Sequence, residues 1–219
     1  MTEMTLDRPA GSVAGTAPTL TVVPFGHPTV ARAVRRLGDA ETMHRTVMAL
    51  FPDRLAAGPS LARTAGGVLY RVDTPANRPP RLLVQHRCPL KPDLSGPPLQ
   101  QAALGPLLAA LRPGTAVNFR IVLNAVRSQT GTGRRVAITD ESDLIGWGTE
   151  RLARAGLGGV QLADRPKTEL SRAKRALWTA QYDGVAVVAD PDRLREAVDN
   201  GVGRAKAYGC GLLSLAVAG

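Results

Sequence analysis

Two segments of the 219-residue chain could do chemistry. The first is ETMHRTVMAL at 41–50, where His44 is followed directly by Arg45. An imidazole titrates near neutrality and can move a proton, and a neighbouring cation can meet charge that develops on a phosphoryl group. A lone helical histidine is, by default, a core or surface residue, so residue type alone leaves His44 open. The second segment is NGVGRAKAYGCGLLSL at 200–215. Gly201, Gly203, Gly209 and Gly211 surround Arg204, Lys206 and Tyr208 there. Glycines let a backbone approach a ligand closely and expose its N–H groups, and the two cations suit a phosphodiester. A plain reading of the same residues is a glycine-rich turn into an edge strand. The segment is not a P-loop, because no GxxxxGK[ST] pattern is present and its Lys is not followed by Ser or Thr. His27, in a Gly-His-Pro turn, and His86, in a β-patterned run, match no catalytic arrangement.

Further cations gather in RPKTELSRAKR at 165–175, namely Arg165, Lys167, Arg172, Lys174 and Arg175, and in FRIVLNAVR at 119–127, with Arg120 and Arg127. The chain carries 28 Lys+Arg against 18 Asp+Glu, a net charge of +10. Of the 28 cations 24 are Arg, which a GC-rich genome would favour without functional cause. A surplus of ten still fits a polyanionic partner, since the guanidinium fork pairs two-to-two with phosphate. Aromatic residues make up only 4%, which excludes stacking of many splayed bases as the binding mode. Tyr208 can stack one base, and Trp147 and Trp178 read as core. At 44% hydrophobic and 21% charged, the composition excludes disordered, collagen-like and coiled-coil chains. No run approaches the length of a spanning helix, and the N-terminus has no signal-peptide pattern. Two cysteines cannot form a disulfide framework, so a reducing cytoplasm is expected.

The elements that must position these residues alternate regularly. Residues 1–18 read as a disordered leader. A strand at 19–24 precedes a helix at 29–51, broken near Gly38 and restarted by Asp39 as N-cap, with Met43, Val47 and Leu50 facing a core. Runs at 67–73 and 81–87 form a hairpin, 99–111 a helix, and 115–123 a closing strand. The second half reads as a strand at 134–139, a helix at 142–155, and a strand at 159–163. A hairpin turning at Asp183-Gly184, a helix at 192–198 and a strand at 211–217 complete it. The first half has the order β-α-β-β-α-β, and the second repeats it less tidily, with one strand more. The expectation is an α+β chain of two tandem ferredoxin-like domains, 19–127 with the histidine and 128–219 with the basic and glycine-rich loops. Such a fold fixes no function.

Three motifs in order carry a family resemblance. The ending GVGRAKAYGCGLLSLA resembles the closing glycine-rich loop of the CRISPR RNA-processing endoribonucleases of the Cascade complex, the CasE family. ETMHRTVMAL followed by Phe51-Pro52 is similar to that family's first-helix motif, and FRIVLNAVR to its strand reading roughly FRLRANPxK. The resemblance spans about residues 19 to 217. It implies binding of the stem-loop of a CRISPR repeat RNA and one cut at the 3′ base of the stem. No metal or other cofactor is implied: the ribose 2′-OH attacks the adjacent phosphate, leaving a 2′,3′-cyclic phosphate and a 5′-OH. It also implies continued residence with other Cascade subunits and no membrane.

On that resemblance His44 becomes the proton-transfer residue, with Arg45 or another cation beside it. The RNA contacts become Arg120, Arg127, the 165–175 cluster, Gly201, Gly203, Arg204, Lys206, Tyr208 and Gly209. A-form RNA hides its base edges in a narrow major groove, so these cations are expected to follow phosphates and shape. The family often has a tyrosine three positions before the histidine, where this chain has Glu41; Val122 and Ala125 also depart from its strand motif. The Glu41 departure motivates a second reading, an RNA-binding Cascade subunit that has lost cleavage. A third class, a small-molecule-binding ferredoxin-like module, predicts weak RNA affinity with little salt dependence.

Overall fold

The computed structural model describes residues 17–52, 63–129, 131, 133–171 and 177–218. Its two main sheets have the same strand order, and each fits the ferredoxin-like pattern in which the fourth strand lies beside the first. In the first unit β1 (Thr19–Pro24), α1 (Ala40–Met48), β2 (Leu69–Asp73), β3 (Arg81–His86) and β4 (Gln100–Ala103) give the order β2-β3-β1-β4. In the second, β5 (Ala116–Asn124), α3 (Glu141–Arg154), β8 (Leu157–Leu162), β10 (Leu177–Val188), α4 (Pro191–Asn200) and β11 (Ser214–Val217) give β11-β5-β10-β8. The short helix α2 (Gly105–Ala110) links them. The chain is therefore two tandem ferredoxin-like units, as the alternation of periods implied.

The expected elements shift where tertiary pairing outweighs local pattern. The 99–111 helix divides: residues 100–103 form β4, fully exposed, hydrogen-bonded to β1 with Leu20 opposite Ala102. Only 105–110 is helical, because Pro106 belongs in a first turn, where its missing N–H costs nothing. The strand expected to close the first half is instead the opening strand of the second unit. β5 buries Val117, Phe119, Ile121 and Leu123 on one face and pairs with β10 and β11. The strand read at 134–139 shortens to β7 (Arg135–Ala137), which pairs only with β6 (Val126–Ser128) as a two-stranded ribbon.

Asp183-Gly184 makes no turn. It lies within β10, which on that stretch pairs with β5 on one side and β8 on the other. A Cβ at Gly184 would stand 2.2 Å from the Gln161 carbonyl oxygen, so this glycine serves close strand approach. An additional strand, β9 (Lys167–Ser171), pairs with the start of β10. Of the expected leader, 1–16 lies outside the described residues; at 17–18 the Pro18 carbonyl already accepts the Leu104 N–H at 2.8 Å.

Each unit has its own core. One centres on Met43, Val47, Leu50, Phe51 and Leu82, the other on Phe119, Ile121, Leu152 and Tyr182. Between them runs a buried ionic seam. Arg71 on β2 pairs with Asp73, Nε to Oδ1 at 2.6 Å, and donates from Nη1 to the carbonyls of Arg120 (3.1 Å) and Leu212 (3.3 Å) in the second unit.

Candidate RNA-cleavage site

His44 owes its position to the cap and apolar face of α1. Asp39 accepts the backbone N–H groups of Glu41 and Thr42 and the Thr42 hydroxyl, which fixes where the helix starts. Met43 and Val47 then point into the core. His44, about 100° round the helix from Met43, falls at the border of that face and is half-buried. Arg45, about another 100° on, is exposed, and its guanidinium folds back on its own helix toward the Glu41 carbonyl and the Thr42 hydroxyl. The helix thus places these two sequence neighbours on different faces.

What meets His44 is the glycine-rich segment. Its ring stands edge-on to Tyr208, with centroids 6.3 Å apart and planes at 71°. The loop is closed by Val202 N–H to the Gly211 carbonyl (2.9 Å) and Gly211 N–H to the Val122 carbonyl (2.8 Å). A Cβ at Gly211 would lie 2.5 Å from the Val202 oxygen, and φ there is +86°, so only glycine closes the loop. At Gly209 a Cβ would come within 3.2 Å of the Tyr70 ring. The clearance at these glycines is used for packing within the protein. Ala205 holds a left-handed conformation (φ 59°, ψ 30°), the one such non-glycine among the described residues.

Tyr70 locks the two halves of the site together. Its hydroxyl reaches the Ala207 carbonyl of the loop at 3.2 Å and the Ala40 carbonyl of α1 at 3.5 Å. Burial pushes this phenol well above the usual tyrosine range, so it stays a hydrogen-bond donor. Beneath, Ala40, Leu177 and Cys210 form a small apolar plug, against which Tyr208 and Ala205 pack.

The electrostatics keep His44 neutral. Burial lowers its pKa below the ordinary histidine value, the positive charge of Arg63 lowers it further, and a hydrogen bond to the Ala207 carbonyl partly offsets both. Nδ1 is buried and has no hydrogen-bond partner, so nothing within the protein uses the lone pair of the neutral ring. Lys206 is likewise shifted down, by burial first and then by Arg63. Arg63 donates to the Val68 carbonyl at 3.1 Å and the Thr64 hydroxyl at 3.2 Å. It is the site residue that sequence reasoning missed. It lies outside every motif, and only the fold brings it near His44 and Lys206.

The other candidate residues divide. Lys167 lines a cleft between the units together with Tyr208, Gly209, Ala40 and Met43. Arg204 and Gly203 line a second cleft beside the loop. Gly201 ends α4 and packs on Leu69. Arg120 pairs with Asp183 and lies 3.7 Å from Asp73, Arg127 pairs with Asp143 at 2.8 Å, and Arg165 with Glu141 at 3.2 Å. Arg120 thus lies at the seam between the units, whereas Arg127 and Arg165 pair within the second unit. Arg172, Lys174 and Arg175 lie outside the described residues.

A neutral imidazole with an unspent lone pair, flanked by cations and edged by an aromatic ring, can shift a proton while positive charge waits for an anion. Comparison with known proteins finds a CRISPR-associated endoribonuclease among the relatives. The CRISPR-associated endoribonuclease Cse3 of Thermus thermophilus is 31% identical over 208 residues, covering 85% of this chain and 94% of that one. A solved structure of CRISPR endoribonuclease Cse3 bound to a 19-nucleotide RNA superposes with a TM-score of 0.70 at 25% identity, over 92% of this chain and all of the other. A chain of a CRISPR RNA-guided surveillance complex in a pre-nicking state gives 0.64 at 29% identity, again over 92% and 100%. A family model described as CRISPR associated protein matches residues 24–216, and the chain, with its paired ferredoxin-like units and histidine-bearing first helix, belongs to that family.

Proposed function

We propose that the protein is a CRISPR RNA endoribonuclease that binds the stem-loop of a repeat RNA and cuts at the 3′ base of the stem. The observation that carries this reading is His44, held neutral against Tyr208 with Arg63 and Lys206 close by. In the reaction the 2′-OH loses its proton to the imidazole and attacks the adjacent phosphorus. The P–O5′ bond breaks, leaving a 2′,3′-cyclic phosphate, and the departing 5′ oxygen takes up a proton. Lys206 and Arg63 meet the negative charge of the phosphorane. Tyr208 stacks on a base at the cut. Lys167, Arg204 and the basic residues at 165–175 follow phosphates, with Arg120 and Arg127 supplementing them by exchanging their carboxylate partners. No metal takes part, and the product RNA stays bound while the protein sits among other Cascade subunits in the cytoplasm. Among the described residues no helix is long and apolar enough to cross a membrane.

The division into domains follows the strands. The N-terminal unit runs from β1 to β4 and carries His44; the C-terminal unit starts with α2, whose Leu108 is buried in the second core. The site lies where the two meet, since the histidine comes from one and the glycine loop from the other.

The test is incubation of the purified protein with its repeat RNA in EDTA. The expected result is one cut at the stem base with a cyclic-phosphate end, abolished by His44→Ala with RNA affinity kept within a few-fold. Glu41 in place of the family's tyrosine favours a second reading, an RNA-binding subunit without cleavage. Tight binding with no cut would establish that reading instead.

A further inference from the structure

Behind the glycine loop, on the helical face of the second unit, two basic clefts run into each other. The first, about 460 Å³, lies between α3 and α4 and is lined by Arg151, Arg154, Arg193 and Lys206, with Glu196 its one acidic residue. The second, about 350 Å³, is lined by Arg127, Arg135 and Arg204 beside Trp147. Arg151 and Gly203 line both, so the clefts form one groove. Resting on the RNA-cleavage reading above, we propose that this groove holds the single-stranded RNA leaving the base of the stem, gripping its phosphates.

Three features support this placement. The groove starts at Lys206, whose neighbour Ala207 accepts the hydrogen bond of the His44 ring, so a strand leaving the scissile phosphate meets it at once. The arginines remain available. Arg154 pairs with Glu150 (2.5 Å) and Arg193 with Asp190 (3.2 Å), exposed contacts one turn apart on a helix that a phosphate replaces at little cost. Arg151 lies 5.2 Å over the Trp147 ring, and its Nε is buried without a partner. The stacking holds that guanidinium in a fixed plane at the junction of the clefts.

The test compares two repeat RNAs, each carrying a 2′-deoxy nucleotide at the scissile position: one with the 3′ flank and one ending at the stem base. Affinity is measured against salt for the wild type, for the double variant Arg154→Ala/Arg193→Ala at exposed positions, and for Arg151→Ala. The wild type should prefer the flanked RNA with a steeper salt dependence, by about 0.7 in the log–log slope for each flank phosphate held. In the double variant that extra slope should fall by about 1.4, and affinity for the flanked RNA by roughly tenfold, so that its preference collapses. Arg151→Ala should act in the same direction. Equal losses for both RNAs, or a wild type that binds both alike, overturn the groove and leave the cleavage reading standing. A wild type that binds neither RNA overturns the RNA reading itself.

Discussion

Replacing Asp73 by asparagine puts the buried seam between the two units to the test. Arg71 and Asp73 side chains are each only 3% exposed, and Arg71 spends its other donors on the carbonyls of Arg120 and Leu212 across the interface. The Asp73→Asn change keeps the shape and removes the charge, stranding a guanidinium away from water. Breaking one partner of a buried pair costs about 3–5 kcal/mol, against a total stability of roughly 5–15 kcal/mol for a folded protein. Arg81 (3.8 Å) and Arg120 (3.7 Å) also face Asp73, but their side chains are about 40% exposed and add little. For a chain of this size each kcal/mol moves Tm by roughly 2–4 °C, so scanning calorimetry should show a drop of roughly 6–20 °C. A double-mutant cycle with Arg71→Met should give a coupling of at least ~1 kcal/mol. Leu212 follows the glycine loop directly, so the variant should also cleave RNA more slowly at temperatures where it is folded. A cost below ~1 kcal/mol with no coupling would refute the reasoning.

Other expectations follow from single residues. Ala205→Gly relieves a left-handed backbone worth about 1–2 kcal/mol, less about 0.5–1 kcal/mol of glycine chain entropy, and should raise the urea midpoint slightly; a lowered midpoint contradicts the strain. Gly184→Ala pushes a Cβ into the Gln161 carbonyl and should cost on the order of 1–3 kcal/mol by the same assay, with no loss arguing against the close strand approach. In single-turnover cleavage the acid limb of the pH–rate profile should lie below the ordinary histidine value. Arg63→Gln removes a positive charge that disfavours the imidazolium, so the limb should move to higher pH; no movement, or the opposite one, would show that Arg63 does not act on His44. His44 and buried His86 both titrate low, so the unfolded chain takes up protons first as pH falls. Stability present above the ordinary histidine value should therefore be lost below it, read as a urea midpoint that falls between about pH 8 and about pH 5.

Much of this protein could be read directly from residue order. The Asp39 cap and the Met43–Val47–Leu50 spacing are local signals, so the start of α1 and its core-facing residues followed from them. The paired ferredoxin-like alternation and the glycine-rich closing segment were legible for the same reason. Strand partners were not. Gln100–Ala103 carries no apolar alternation, because an exposed edge strand needs only backbone hydrogen bonds, and β5 looks alike whichever sheet takes it. Asp183-Gly184 has a turn's composition, yet its small size serves a close strand approach. Arg45 is adjacent to His44 in the chain and faces away from it, while Arg63 and Lys206 arrive from distant segments. Local sequence determines which face of a helix a side chain occupies. Which charges surround that face depends on contacts between residues far apart in the chain, and those exist only once both units have folded against each other.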